Sequence, residues 1–252
     1  MIHYHGASFS GSPNSTMALM SRHAMVSFAR PEPVSVVAEI CQSFTIDNGA
    51  FSAWKSGKEF DIESYAEFIR DWCHHPAFDW YIIPDVIDGD ANDNIKMRGA
   101  WGKYCQGTDM WEMGVPVWHL HEPLEVLTDM AHAYARVAIG SSGEFADVGT
   151  RPWWERMTEA MEVVTDEKGH PKAKLHGLRM LDPTIFSQFP FASADSTNVA
   201  RNIGIDNSWK GTYPPSSKYT RALVMMERIE KHASAARWCG SKGVAKNLDL
   251  FG

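Results

Sequence analysis

Short apolar runs recur along this chain at wide spacing, and the stretches between them repeat their apolar positions with helical periodicity. A strand that is apolar at nearly every position must be covered on both faces, and segments of helical periodicity lie between the runs to do the covering. The pattern therefore restricts the chain to a parallel α/β sheet, either open or closed into a barrel. About eight runs qualify, which is the barrel number. They are residues 2–5, 24–28, 43–47, 80–85, 115–121, 136–140, 173–176 and 191–195. Helical spacing is clearest over 62–73, 91–104, 124–134 and 153–164. In the last of these Trp153, Trp154, Met157 and Met161 recur at core spacing. The expected fold is α/β, a single-domain (β/α)8 TIM-like barrel over 1–252. Residues 202–252 supply a Gly-, Pro- and Ser-rich loop near the mouth and a closing helix over 219–238.

At 252 residues the chain has the length of one such barrel. Its net charge of −7 argues against a protein that coats nucleic acid, because phosphate binding needs Lys and Arg to displace counterions. Any such contact must be a local patch. Cys41, Cys73, Cys105 and Cys239 form no CxxC pair, so the sequence suggests neither a disulfide framework nor a zinc knuckle. The opening MIHYHGASFSG has no basic flank leading into an apolar core, and no run reaches the ~20 apolar residues a membrane helix needs. A cytoplasmic location, that of the host if the chain is phage-encoded, and no membrane partner are expected.

Several apolar runs end in polar or acidic residues: Asp47, Asp85, His119 with His121, Gly140-Ser141-Ser142-Gly143-Glu144, His176 and Asp195. Barrel enzymes build their sites at the C-terminal ends of the strands, so these are the candidate site residues. Asp47, in TIDNGAF, precedes an Asn48-Gly49 pair that favours a tight turn, and a capping role without chemistry is open to it. The same holds for Asp195 in FASADSTNVARN. Two strand-end carboxylates in one barrel offer more, since one can attack an anomeric carbon while the other manages the leaving group's proton.

Between about residue 43 and about residue 202 the chain resembles the tRNA-guanine transglycosylases. TIDNGAFSAW is similar to that family's T-D-S-G-G-F-Q signature, which makes Asp47 the matching general acid/base and Phe51 the ring that stacks on the base. IIPDV presents Asp85 where the family has the aspartate that recognises the guanine edge. VPVWHLHE, with His119 and His121, matches in position a later base-binding strand. VAIGSSGE resembles the glycine-rich turn Y-A-I-G-G-L, placing Gly140, Ser141, Ser142 and Gly143 beside the base. LHGLRMLDP, with His176, and FASADSTNVARN follow in the family's order. They map the nucleophilic aspartate onto Asp195 and the nucleic-acid contacts onto Asn198 and Arg201.

The departures carry information too. The tRNA-acting enzymes hold a structural zinc with C-x-C-x-x-C and a later histidine, whereas this chain has only Cys239 in that region. A zinc site of about four Cys or His ligands is therefore not expected in its usual form. In this reduction the chain resembles the DNA-guanine transglycosylase branch of phage and bacterial DNA modification systems. The resemblance implies exchange of guanine in DNA for a 7-deazaguanine base, without a required cofactor, on single-stranded or flipped-out guanine, and in a possible homodimer. A tRNA substrate remains an alternative.

The histidines offer a rival reading. His3 with His5, His119 with His121, His176 and Asp195 resemble the ligand array of metal-dependent amidohydrolase barrels, although the middle-strand lysine expected there is not evident in 80–85. Each H-x-H pair can equally be a hydrogen-bonded rim feature. A barrel that binds nucleic acid without catalysis would need a broken acid pair, and both Asp47 and Asp195 are present. The stretch 221–246 concentrates Arg228, Lys231, Arg237, Lys242 and Lys246 and suits either phosphates or a solvated helix face.

Overall fold

The computed structural model of the protein describes residues 1–7, 9, 13–204 and 213–240. Its centre is one parallel sheet of nine strand segments: β1 (Ile2–Gly6), β2 (His23–Ser27), β3 (Ser43–Asp47), β4 (Phe78–Ile82), β5 (Gly114–Val115), β6 (Val117–His119), β7 (Arg136–Gly140), β8 (Lys174–Gly177) and β9 (Ser193–Ser196). The order is β5-β4-β3-β2-β1-β9-β8-β7-β6, so the two edge segments are neighbours in sequence. They are one run interrupted at Pro116, which has no N–H to give to a ladder. Val115 O accepts from Ile83 N on one side at 2.9 Å, and Pro116 O accepts from Ala138 N on the other at 2.9 Å. This split run closes the ring, and the fold is the α/β barrel that the spacing of apolar runs predicts.

The boundaries differ from expectation in instructive places. The run expected over 80–85 forms a strand at Phe78–Ile82, which leaves Asp85 on the loop beyond it. The run expected over 115–121 ends at His119, and His121 lies in the turn that follows. The closing helix spans Lys218–Glu230, not 219–238, and Trp238 packs from an irregular segment with its ring stacked on Phe189. Of the basic stretch, Lys242 and Lys246 lie outside the described residues. Arg221 is turned inward, donating to the carbonyls of Ile203, Pro215 and Ser216.

Helix starts follow local chemistry. Asp61 caps the helix Ile62–Trp72 by accepting from Ser64 N at 3.0 Å. Asp90 and Asp93 form a reciprocal capping box on Ala91–Tyr104. Trp153, Trp154, Met157 and Met161 are all buried against the barrel wall, as core spacing predicts. No helix among the described residues is long and apolar enough to cross a membrane.

Alternation along each strand then decides what lies inside. Tyr4, Met25, Trp80, Ile82, Val115, Val117 and Ala138 form the apolar filling of the barrel, distinct from the larger core between sheet and helices. Because Tyr4 points in, its neighbours His3 and His5 point out. His3 Nε2 lies 3.0 Å from the His232 carbonyl, and His5 Nε2 lies 3.0 Å from Glu230 Oε1 on the closing helix.

Candidate functional site at the barrel mouth

Polar residues and one glycine that share the parity of the interior at the C-terminal strand ends include Ser27, Asp47, His119, Gly140 and Asp195. Register confirms the level: Ser27 pairs with Asp47 across β2 and β3, and His119 with Gly140 across β6 and β7. The strand ends thus bring Asp47, Asp195 and, from the loop after β4, Asp85 to one mouth.

Asp47 owes its position to the turn behind it. Gly49 adopts φ 75°, a left-handed conformation glycine takes freely, and an added Cβ would meet Ala29 N at 2.8 Å. That turn aims Gly49 N at Asp47 Oδ2 at 3.2 Å, while Ser27 Oγ donates to the same oxygen at 2.9 Å. Burial pushes the Asp47 carboxyl up to about 6. The Ser27 bond opposes the shift, the charges of Asp195 and Asp85 add to it, and Arg179 opposes it. An acid poised there can give and take a proton near neutrality.

Asp85 is held by two neighbours. Asn48 Nδ2 donates to Asp85 Oδ1 at 2.6 Å and to the Ile83 carbonyl at 3.0 Å, while Asn48 Oδ1 accepts from Ala50 N at 2.8 Å. The buried Asn48 therefore joins the ends of β3 and β4 with its donors and acceptor satisfied. His119 Nε2 lies 2.8 Å from Asp85 Oδ2, close but without good hydrogen-bond alignment. Burial alone would lower the His119 pKa; the Asp85 carboxylate, with Glu122 behind, outweighs burial and raises it. Glu122 is itself buried and tied, accepting from His119 N at 2.9 Å and from Asn94 Nδ2 at 3.1 Å. Gly140 leaves room for this ring: a Cβ there would come within 3.3 Å of His119 Nδ1.

Asp195 is 6 % exposed, which makes it a carboxylate almost wholly enclosed by protein yet at the mouth. Its Oδ1 accepts from Arg179 N at 2.8 Å. One layer deeper, Arg136 Nη1 donates to Ser193 Oγ at 2.9 Å, and the same oxygen lies 2.9 Å from His176 Nδ1. His176 Nε2 faces the acceptor-only Asp195 carboxylate, 3.4 Å from Oδ1 but without hydrogen-bond alignment. Burial lowers the His176 pKa against the pull of Asp195, which favours a neutral ring beside the carboxylate. His176 supports Asp195 from beneath and does not stand at the opening.

The remaining expected residues divide. Phe51 follows Asp47 on the short helix Ala50–Lys55, and its ring is covered by the Arg179 guanidinium at 3.7 Å from the centroid. His121 has both ring nitrogens engaged, Nδ1 with Ser142 Oγ at 2.7 Å and Nε2 donating to the Gly89 carbonyl at 2.9 Å. Ser141 Oγ accepts from Trp153 Nε1 at 2.9 Å and so faces the wall helix. Gly143 takes φ 56° in the turn beyond β7, with room for a Cβ only against His121. Asn198 and Arg201 are exposed on the helix Asn198–Asn202 that follows β9, and Asn202 donates to the Asn198 side chain. Sequence reading missed Ser27, Arg179, Asn94 and Glu122. Of these only Asn94 left a trace, as a polar residue at a core-facing position of its helix.

Among the described residues no three His, Cys, Asp or Glu side chains are grouped to hold a metal ion. Neither known protein families nor curated proteins match the sequence.

Proposed function

We propose that this protein exchanges guanine in DNA for a 7-deazaguanine base through a glycosyl ester on Asp195. The observation that carries the reading is the division of character among the mouth carboxylates: Asp195 held by the Arg179 backbone N–H with the His176 ring beside it, Asp47 raised to about 6. A pair so divided provides a nucleophile and a proton carrier in one site.

The chemistry runs as two displacements. An Asp195 oxygen attacks C1′ and the C1′–N9 bond breaks, with the electron pair leaving on guanine and a proton passing to it from Asp47. The incoming base then gives its N9 proton to Asp47 and attacks C1′; the ester C–O bond breaks and Asp195 is restored. Two inversions return the β-configuration. Asp85, steadied by Asn48 and His119, accepts hydrogen bonds from the base N1–H and exocyclic amine, since each carboxylate oxygen keeps a lone pair after its protein contact. Phe51 supplies the stacking face. No electrons are transferred to a carrier, so the proposal calls on no redox cofactor.

Support for DNA over tRNA comes from the missing C-x-C-x-x-C segment and from chemistry, since attack at C1′ does not need a 2′-hydroxyl. Guanine reaches such a mouth only as single strand or flipped from the duplex, at a cost of a few kcal/mol. The metal-hydrolase reading needs His3 and His5 at the mouth, and both face the closing helix on the outside of β1.

Incubation of the protein with guanine-containing DNA and, in parallel, tRNA, each with radiolabelled guanine or 7-deazaguanine base, tests the proposal. Label is expected in DNA only, and Asp195→Ala is expected to lower its rate by at least about a thousandfold. Label in tRNA alone would move the substrate, and no label in either polymer together with stoichiometric bound zinc would favour the hydrolase.

A further inference from the structure

Arg179 stands in a conformation that its own side chain resists. Its φ is 60°, and only Ser21 shares a positive φ among the described non-glycine residues. Glycine takes this region freely, whereas any Cβ makes it costly, so an arginine here needs a reason outside local backbone preference. The N–H bond to Asp195 Oδ1 is not that reason, because a glycine N–H would make it equally well. Nor is packing, since the residue is exposed. What remains is the guanidinium, which lies 3.7 Å from the Phe51 ring centroid and within electrostatic reach of Asp47. Contact this close leaves no gap for a third ring between the two, so a base can take that face of Phe51 only after the guanidinium has left.

We propose that Arg179 is a substrate-binding gate: closed, it covers the face of Phe51, and when a base of a polynucleotide takes that face its guanidinium moves to a phosphate oxygen of the same strand. The inference rests on the reading of the mouth as a nucleic-acid site, and it adds a residue that reading does not contain. Asp47, Asp85 and Asp195 make the mouth repulsive to a phosphodiester, and a cation carried on the same loop that holds Asp195 offsets them where the strand must pass. The backbone N–H stays on Asp195 throughout; only the side chain moves. Bidentate geometry suits a guanidinium to a phosphate after it has served as a planar cover on an aromatic ring.

The test compares wild type, Arg179→Gly and Arg179→Lys in three measurements: thermal melting, affinity for a short guanine-containing single-stranded DNA over a range of salt, and base exchange. Arg179→Gly is expected to melt no lower than wild type, because glycine relieves the backbone, yet to bind the oligonucleotide about tenfold more weakly. Its log-affinity against log-salt slope should fall by about 0.7, the loss of one phosphate contact on a single strand. Arg179→Lys should keep the slope and lose the cover on Phe51. Wild-type affinity and slope in Arg179→Gly would overturn the gate while leaving base exchange standing. Weakened binding in that variant, with no exchange by wild type, would keep the gate and sink the transglycosylase reading. A wild type that binds no oligonucleotide overturns both.

Discussion

Two polar clusters are stacked inside this barrel, one at the mouth and one a layer or two below, and they are built on opposite rules. In the lower cluster unlike partners meet. Arg136 lies 5.1 Å over the Trp80 ring and donates to Ser193, Trp80 Nε1 donates to Tyr4 Oη at 3.2 Å, and Tyr4 donates to Asp79. Desolvation and the nearby Asp79 charge push the Tyr4 hydroxyl well above its ordinary range, so it remains a neutral donor. At the mouth like charges gather: Asp47, Asp85 and Asp195 lie close enough that the latter two raise the pKa of the first. Unlike partners satisfy one another in the lower cluster, whereas the like charges gathered at the mouth favour protonation of Asp47. The same strands carry both, a few residues apart.

Substitutions at each level can break that contrast. The largest effect is expected at Asp47. Asp47→Asn should lower base exchange by about a hundredfold or more, the range for loss of an acid/base group, and flatten the fall in kcat/KM that wild type should show as pH rises through about 6. Stability should move the other way. The folded state binds the Asp47 proton more tightly than the unfolded chain, so its stabilising contribution is fully present below about pH 4 and is lost as pH rises through about 6. Denaturation at pH 7 should therefore find Asp47→Asn more stable by about 1–3 kcal/mol. A variant that is both less active and less stable would mean that Asp47 is structural and the contrast false.

Arg136→Ala should show the reverse balance. It removes a donor from Ser193 and a cation from the Trp80 face, and chemical denaturation should register a loss of about 1–3 kcal/mol. Exchange measured at a temperature where the variant is fully folded should change far less than in Asp47→Asn. The smallest effect is expected at Arg201, exposed beyond β9. Arg201→Ala should leave the melting temperature unchanged and reduce the salt slope of oligonucleotide binding by about 0.7; an unchanged slope would remove that residue from the interface.

Much of this arrangement was legible beforehand, for reasons of periodicity. Apolar runs covered on both sides by helices require a parallel sheet, and the number of runs pointed to a barrel whose mouth lies at their C-terminal ends. That was enough to single out Asp47, Asp85, His119 and Asp195 as neighbours, although Asp195 sits within β9 and Asp85 beyond β4. The H-x-H pairs show where the same reading fails. His3-x-His5 and His119-x-His121 are equivalent as strings, yet β1 turns the first pair out toward Glu230 and His232, while β6 turns His119 in and then ends. Parity is a single bit per strand, and a run apolar on both faces does not reveal it.

Sequence by itself determined the strand and helix succession, the Asp-Asn-Gly turn behind Asp47 and the capping of the wall helices, because each depends on residues within a few positions of one another. Tertiary structure alone decided that the run broken at Pro116 closes the ring, that Asn48 and His119 both lie against Asp85, that Arg136 and His176 meet at Ser193, and that Arg179 lies across Phe51. Those contacts join residues 37, 34, 57, 17 and more than a hundred positions apart. Their energies exist only once the barrel has brought its strand ends around one axis, and no local preference encodes them.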